Sequence, residues 1–328
     1  MRAIVTGGAG FIGSHMVDLL LQRGFEVRAL DNLMAGRLDN LSHHANDRRC
    51  VFEQVDVCDL PENAAVFRDV EFVFHFAGIG DIVPSIERPK DYLKVNVQGT
   101  VAVMEASRHA GVKKVVYAAS SSCYGLAREL PTTESAPIQP QYPYALSKYL
   151  GESVALHWNQ VYRLPVNCIR IFNAYGPRSR TTGAYGAVFG VFLAQKLKGK
   201  PFTVVGDGTQ TRDFVYATDV ARAFLAAAES DLCSEVFNLG AGAPQSVNRL
   251  VELLGGPVVY VPKRPGEPDC TWADTHKIRS CLGWSPQVSF EEGVAAMVQR
   301  IEAWADAPVW TSESIALATQ KWFEHLDR

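Results

Sequence analysis

Long apolar runs are missing from this 328-residue sequence, and so is any strong imbalance of charge. No hydrophobic stretch reaches the roughly 20 residues that a helix needs to cross a bilayer, so no membrane association is expected. At the start, Met1-Arg2 leads straight into a short apolar segment, Ala3-Ile4-Val5, that glycines then interrupt. That segment is too short and too broken for a secretory leader. Lys and Arg number 32 against 35 Asp and Glu, a formal net charge of -3, which gives no general attraction to nucleic acid or anionic lipid. Cysteine is sparse, odd in number and scattered: Cys50, Cys58, Cys123, Cys168, Cys233, Cys270 and Cys281. No pair has metal-ligand spacing, so no metal is expected and the thiols read as reduced, in a cytoplasmic protein. Internal repeats, low-complexity tracts and charged tails are also absent. What remains is 47% hydrophobic and 20% charged residues, which suits ordinary globular packing. The length allows one large or two modest domains.

The first half alternates short apolar strands with helical stretches. Strands are expected at 2–6, 26–30, 50–55, 71–75, 115–119 and 166–171, and helices at 12–22, 85–110 and 142–163, with a shorter one near 61–67. Such alternation means βαβ units and a parallel sheet covered on both faces. Beyond about residue 175 the spacing becomes irregular, with joints at Gly206-Asp207-Gly208 and at Pro262 to Gly266. The expected fold is therefore α/β: a Rossmann-type doubly wound parallel sheet over 1–175, then a smaller C-terminal α/β substrate lobe over 176–328. Segments of that second lobe can return to the first domain. The helix-like end, 312–326, carries Trp322 and Phe323 and is expected to pack on the lobe.

The first strand runs into Thr6-Gly7-Gly8-Ala9-Gly10-Phe11-Ile12-Gly13, and a helix follows. Gly7 permits the tight turn, Gly10 lets backbone approach a pyrophosphate, and Gly13 lets helix and strand pack closely, with Phe11 and Ile12 on the same turn. The phosphates then sit on the positive helix N-terminus. The second strand ends in Asp31, 18 residues past Gly13, where a carboxylate can accept from both ribose hydroxyls and repel the extra phosphate of NADP. Asn32 and Leu33 follow with no Arg beside Asp31, and Arg37 is read as solvated. The expected cofactor is NAD. Asp56 and Val57, ending the third strand, either flank the adenine or, for Asp56, cap a turn.

Residues 144–148 read Tyr-Ala-Leu-Ser-Lys. Positions i and i+4 share a helix face, so Tyr144 and Lys148 point the same way. A tyrosine is a poor base at neutral pH; a neighbouring ammonium and a cationic nicotinamide favour its phenolate and suit it to take a proton from an alcohol. Ser120-Ser121-Ser122 follows the strand Val115 to Ala119, and strand C-termini line the ligand crevice of a doubly wound sheet. A hydroxyl there can hold a substrate alcohol against Tyr144. The alternative for the triplet is a polar turn capping its own backbone.

In this order, these features resemble the extended short-chain dehydrogenase/reductase family, and within it the NAD-dependent nucleotide-sugar epimerase/dehydratase branch. The likeness runs through Phe76-Ala77-Gly78, Asn96 to Thr100, Phe172 to Pro177, Gly206 to Phe214 and Arg264 to Glu267. It implies that Tyr144 is the acid/base on the sugar 4-hydroxyl, that Lys148 binds the nicotinamide ribose and tunes Tyr144, and that Ser120 shares the proton. It also implies that Phe76, Ala77, Gly78, Asn96 and Phe172 line the cofactor. Asn173, Arg212 and Arg264 would hold the nucleotide diphosphate, Glu267 would accept from a ribose hydroxyl, and Thr203 and Val205 would lie near the base. An arginine fork suits a diphosphate, although for Arg212 alone an ion pair with Asp213 or another neighbour competes. Family likeness further implies a homodimer through helices 85–110 and 142–163.

Members of this branch are similar in first oxidising a sugar carbon, then diverging. Elimination needs a protein acid and a base, and the 4,6-dehydratases carry carboxylates where this chain has Ser121 and Ser122, the two positions expected to face the sugar. The Glu usual in that segment of uronic-acid decarboxylases is also missing. The resemblance therefore implies 4-epimerisation, with a UDP-hexose as the expected substrate. A dehydratase, a net-redox sugar-nucleotide dehydrogenase or reductase, and a non-catalytic dinucleotide sensor remain alternatives. Three stretches depart from the UDP-hexose 4-epimerases: Gly80-Asp81, Ser179 to Tyr185, and Cys123, which is read as packing. By alignment with those enzymes Thr271 falls at a size gate for the 2-substituent, where a small residue leaves room for an acetamido group. The other reading of Thr271 is simple packing on Trp272.

Overall fold

The computed structural model describes residues 1–179 and 188–326. Its strands and helices, in chain order, begin with β1 (Arg2–Thr6), α1 (Phe11–Gln22), β2 (Glu26–Asp31), β3 (Cys50–Gln54), β4 (Phe72–His75), α2 (Pro89–Leu93) and α3 (Gly99–Ala110). They continue with β5 (Lys114–Ser120), α4 (Pro143–Tyr162), β6 (Val166–Ile171), β7 (Asn173–Tyr175), α5 (Val188–Leu197), β8 (Phe202–Val205), β9 (Thr211–Arg212), β10 (Phe214–Tyr216) and α6 (Ala217–Glu229). The last are β11 (Glu235–Leu239), β12 (Gln245–Ser246), α7 (Val247–Leu254), β13 (Val258–Val261), α8 (His276–Leu282), α9 (Phe290–Val298) and α10 (Ser312–Leu326).

Seven strands form one sheet in the order β11-β6-β5-β4-β1-β2-β3, every pairing parallel. A parallel sheet is covered on both faces, so its inner strands are apolar throughout rather than alternating; every residue of β5 and β6 is buried. One face packs against α1 and α6 through Met16, Leu20, Ala221 and Phe224. The other packs against α3 and α4 through Val103, Met104 and Ala155. On that side α4 lies so near β5 that a Cβ on Gly151 would fall 2.2 Å from the Tyr117 hydroxyl. Strand order reverses at β1, which has β2 on one side and β4 on the other, and a ligand crevice opens at the C-terminal ends of strands beside such a switch point.

After β6 the chain builds a second core around Phe189, Phe192, Phe202, Met297 and Trp304, with small sheets β7–β10, β8–β13 and β9–β12. It also returns to the large sheet: β11 pairs with β6 in register from Glu235 opposite Asn167, and α6 packs on α1.

The six expected strands are all present within two residues. The helix expected over 85–110 is broken instead into a 3₁₀ turn at Val83–Ser85, α2, a π-turn at Lys94–Gln98, and α3. Pro84 and Pro89 lack the N–H that a continuous helix needs there, and Asn96 in the π-turn spends its amide on the loop at Ile79. The short helix near 61–67 is reduced to a 3₁₀ turn at Ala65–Phe67. Of the Ser179–Tyr185 stretch, all but Ser179 lies outside the described residues. Among the described residues no helix is long and apolar enough to cross a membrane.

Candidate active site

The glycine turn joins β1 to α1. Gly7 has φ of 69°, and a Cβ on Gly13 would stand 2.0 Å from the Gly7 carbonyl oxygen, so no larger residue fits. No side chain caps α1 at Gly10 and no acidic residue lies in its first turn. That leaves the positive end of the helix facing the crevice as an anion site. Asp31 is buried at 7% exposure; its two oxygens accept from the amides of Ala9 at 3.1 Å and Leu33 at 2.8 Å. Burial raises its pKa, and the two amides offset this only in part. A carboxylate has about four acceptor sites, so both oxygens keep capacity for a ribose. Arg37 is 55% exposed and pairs with Asp39 at 3.2 Å. Asp56 takes the cap geometry: it accepts from Cys58 N at 2.9 Å and from Asn32 Nδ2 at 3.0 Å. Burial works against ionisation of Asp56, but these donors hold its pKa below the usual value. Val57 is buried beside it.

Phe76, Ala77 and Gly78 continue β4 into the crevice, with Ala77 N donating to Thr6 Oγ1 at 3.2 Å and the Phe76 ring 4.5 Å from that of Phe224. Asn96 is 1% exposed. Its Oδ1 accepts from Ile79 N at 2.8 Å, and its Nδ2 donates to Ser147 Oγ at 2.9 Å. It clamps the segment after Gly78 to α4. Phe172 lies just past β6, its ring 6.4 Å from Tyr124.

Tyr144 and Lys148 lie one turn apart on α4, and Ser120 ends β5. The Tyr144 hydroxyl donates to Ser120 Oγ at 3.4 Å, and Ser120 Oγ lies 2.8 Å from Ser122 Oγ. Ser120 also accepts from Ser122 N at 3.3 Å, so it caps its own turn and faces Tyr144 at once. Burial pushes the Tyr144 phenol up, with the Ser120 hydrogen bond opposing. Burial pulls Lys148 down to about 8, and its ammonium sits 4.5 Å from the Tyr117 ring centre. His75, buried beneath, is lowered to about 3 by burial and by Lys148 and is neutral at physiological pH. Under the trio, Arg170 and Glu152 form a buried two-pronged ion pair at 2.9 and 2.6 Å. Glu152 lies two turns past Tyr144 on α4, and neither partner was expected from the sequence; the i+4 repetition of polar residues at 144, 148 and 152 was the signal.

On the far side of the crevice, Glu267 sits between two arginines, 2.8 Å from Arg212 Nη2 and 2.7 Å from Arg264 Nε. Burial opposes its ionisation, but Arg264 and Arg212 outweigh this and hold its pKa below the usual value. Arg212 thus pairs with Glu267 and not with Asp213. Asp213, fully buried, instead accepts from the amides of Gly242 and Ala273 at 3.0 and 2.9 Å. A cleft of about 460 Å³ lined by Val205, Gln210, Arg212, Lys263 and Glu267 opens beside this pair. It adjoins the arginines rather than Tyr144. Thr203 is turned away from it, its hydroxyl accepting from Gln195 Nε2 at 2.8 Å. Thr271 Oγ1 donates to Asn173 Oδ1 at 2.7 Å and accepts from Asp213 N at 3.3 Å, a tie that sequence spacing does not reveal. Tyr142, also unforeseen, lies between the two sides, its ring nearly parallel to that of Tyr144 at 8° and 6.4 Å. Among the described residues, Asp18, His43 and His44 bring metal-ligand atoms together, as do Glu62, Glu105 and His109. The Asp18 carboxylate is taken by Arg178 at 2.8 Å.

The switch-point crevice with its glycine turn and buried Asp31 is that of a Rossmann-type dinucleotide-binding protein. The sequence pattern of the NAD dependent epimerase/dehydratase family matches residues 3–240, more than half of the chain, which therefore belongs to that family. Its cofactor is NAD. The chain is 38% identical over 308 residues to UDP-glucose 4-epimerase of Mycolicibacterium smegmatis, covering 91% of this chain and 98% of that one. Its fold is similar to that of UDP-N-acetylglucosamine 4-epimerase from Methanobrevibacter ruminantium in complex with UDP-N-acetylmuramic acid, with TM-score 0.87, 31% identity, and coverage of 92% and 98%. It is also similar to UDP-glucuronic acid 4-epimerase from Bacillus cereus in complex with UDP-glucuronic acid and NAD, with TM-score 0.86, 30% identity, and coverage of 92% and 99%.

Proposed function

We propose that this protein is an NAD-dependent 4-epimerase of a UDP-hexose, working through a transient 4-keto sugar. The observation that carries the reading is the acid–base site. Tyr144 and Ser120 hydroxyls lie 3.4 Å apart beside the buried Lys148, while the adjoining positions Ser121 and Ser122 offer no carboxylate for elimination. NAD, when bound, supplies reversible hydride acceptance at the sugar carbon. Gly7, Gly10, Phe11, Ile12 and Gly13 hold its pyrophosphate, and Asp31, with Asn32, Asp56 and Val57 behind it, holds the adenosine. Phe76 to Gly78, Asn96 and Phe172 border the nicotinamide end.

Tyr144 takes the proton of the 4-hydroxyl as that carbon is oxidised and returns it once the sugar has turned over; Ser120 shares the proton. The Lys148 ammonium stabilises the phenolate, against the burial that disfavours it. Arg212 and Arg264 grip the diphosphate while the sugar rotates, and Glu267 both orients the two guanidinium groups and accepts from the uridine ribose. The cleft beside Val205 takes the base, with Thr203 behind it. Asn173 and Thr271, with Ser121 and Ser122, border the sugar, and Thr271 leaves room for a 2-acetamido group. In this reading residues 1–175 form the NAD domain and 176–328 mainly the nucleotide-sugar lobe. The protein is cytoplasmic and a homodimer, paired through the broken segment 85–110, which contains α2 and α3, and through α4; the exposed Leu93 of the first and Leu146, Val161 and Tyr162 of α4 suit a covered face.

The test is incubation with UDP-glucose, UDP-galactose and UDP-GlcNAc in heavy water, with products resolved by NMR. The reading expects the C4 epimer of at least one sugar with no deuterium at C5. A 4-keto-6-deoxy product labelled at C5, or stoichiometric NADH, would contradict it.

A further inference from the structure

Helix α10 lies beyond residue 240, where the family-wide pattern ends, yet it reaches the crevice. Its buried residues Ile315, Thr319 and Trp322 recur at helical spacing on one face, while Leu317 on the other is 75% exposed. The helix start is tied down: Thr311 Oγ1 accepts from Ser314 N at 3.3 Å, and the Trp310 carbonyl accepts from Gln195 Nε2 at 2.7 Å. Gln195 is the residue that also holds Thr203 behind the cleft.

Trp322 is 3% exposed but, among the described residues, is not part of the three apolar cores. Its contacts are of another kind. The indole N–H donates to the Pro265 carbonyl at 2.8 Å, inside the turn that carries Arg264 and Glu267. Its ring centre is 5.2 Å from that of Tyr142. Tyr142 directly precedes Pro143, the first residue of α4, and its ring lies parallel to the Tyr144 ring. Tyr144, Glu267, Arg212 and Arg264 are all near enough to act electrostatically on the Tyr142 hydroxyl. A buried indole that spends its one donor on a loop carbonyl and packs its ring, tilted by 49°, against a tyrosine is placed as a spacer between two walls, since tryptophan joins a large rigid area to a single polar handle.

We propose that α10 is a wall of the substrate site and that Trp322 is a positioning residue in it. Through the Pro265 carbonyl it fixes the turn bearing Arg264 and Glu267, and through Tyr142 it fixes the start of α4 and so the Tyr144 ring. The proposal rests on the assignment of that turn to the diphosphate and of Tyr144 to the sugar hydroxyl. Its two arms separate by substitution. Trp322→Phe keeps a ring against Tyr142 but loses the donor to Pro265, whereas Trp322→Ala loses both.

The experiment measures kcat and KM for the UDP-hexose, and the affinity for UDP alone, in Trp322→Phe, Trp322→Ala and the exposed control Leu317→Ser. Loss of one net hydrogen bond corresponds to roughly 5-fold in affinity. Trp322→Phe should raise KM and weaken UDP by about that factor with kcat near wild type. Trp322→Ala should add a fall in kcat of about 10-fold or more. The Leu317→Ser control should match wild type, and NAD affinity should be unchanged throughout. Wild-type KM, kcat and UDP affinity in the Phe variant would overturn the proposal, even if the Ala variant fails to fold. So would a split in which both variants lose only folded protein and the folded fraction is kinetically normal. If wild-type protein epimerises no UDP-hexose, the proposed function fails on its own, and UDP binding by the Phe variant still decides the Pro265 arm.

Discussion

Lys148→Met should make the protein more stable and inactive. Lys148 is 7% exposed, and burial lowers the pKa of its ammonium from 10.5 to about 8. At about 1.4 kcal/mol per tenfold change in proton affinity, holding that charge inside costs about 3 kcal/mol relative to the unfolded chain. Methionine fills the same space with no charge. It forfeits the contact between the ammonium and the Tyr117 ring at 4.5 Å, a cation–π interaction of about 0.5–2 kcal/mol. The net expectation is a gain of about 1–2.5 kcal/mol at neutral pH. The pH dependence has a definite sign. Between about 8 and 10.5 the folded protein has released the Lys148 proton while the unfolded chain still holds it, so wild-type stability rises with pH there. The advantage of the variant is therefore full below the folded pKa and lost as pH climbs to the unfolded one. His75, neutral at these pH values with its pKa near 3, does not contribute, and groups common to both proteins cancel in the difference. Urea unfolding of both proteins, freed of NAD, at pH 7 and pH 10 reads the effect. A variant less stable than wild type at pH 7, or an advantage that persists unchanged to pH 10, would refute the reasoning.

Asp31→Ala should weaken NAD and relax discrimination against NADP, measured by titration with both cofactors. Unchanged selectivity would remove Asp31 from the ribose. Tyr144→Phe should lower kcat by about 10²- to 10⁴-fold while UDP affinity in a binding assay stays within a few-fold of wild type; a wild-type kcat would mean that another group is the base. Thr271→Tyr breaks the links to Asn173 and Asp213 and so should slow both UDP-glucose and UDP-GlcNAc turnover. The gate reading requires a further, selective loss of the N-acetylated sugar, and equal loss on both would leave Thr271 as structural.

The large sheet was legible because βαβ units write themselves in local patterns: apolar strands, an uncapped glycine turn, and an acid at the end of β2. The i+4 pair Tyr144/Lys148 was legible for the same reason, being a local helical spacing. What stayed hidden depends on distant partners. Nothing near Arg212 in the sequence announces that Glu267, 55 positions on, holds it in place of the adjacent Asp213. A return of segments of the second lobe to the first domain was left open by the sequence, but that β11 is the strand that pairs with β6 is set by packing and has no local signal. Tyr142 and Trp322 meet across 180 residues, and each reads as an ordinary core aromatic until their contacts are seen. The break in the helix expected over 85–110 was foreshadowed by Pro84 and Pro89, but the π-turn at Asn96 reflects the demand of the Ile79 loop for its amide.

The most direct test of the account uses a UDP-hexose carrying deuterium at C4. If Tyr144 moves only the hydroxyl proton and the C4 hydrogen leaves and returns as hydride within one closed site, the C4 epimer retains the deuterium at C4 and no free NADH accumulates. Loss of the C4 label to solvent, or its release in exchangeable cofactor, would contradict the mechanism.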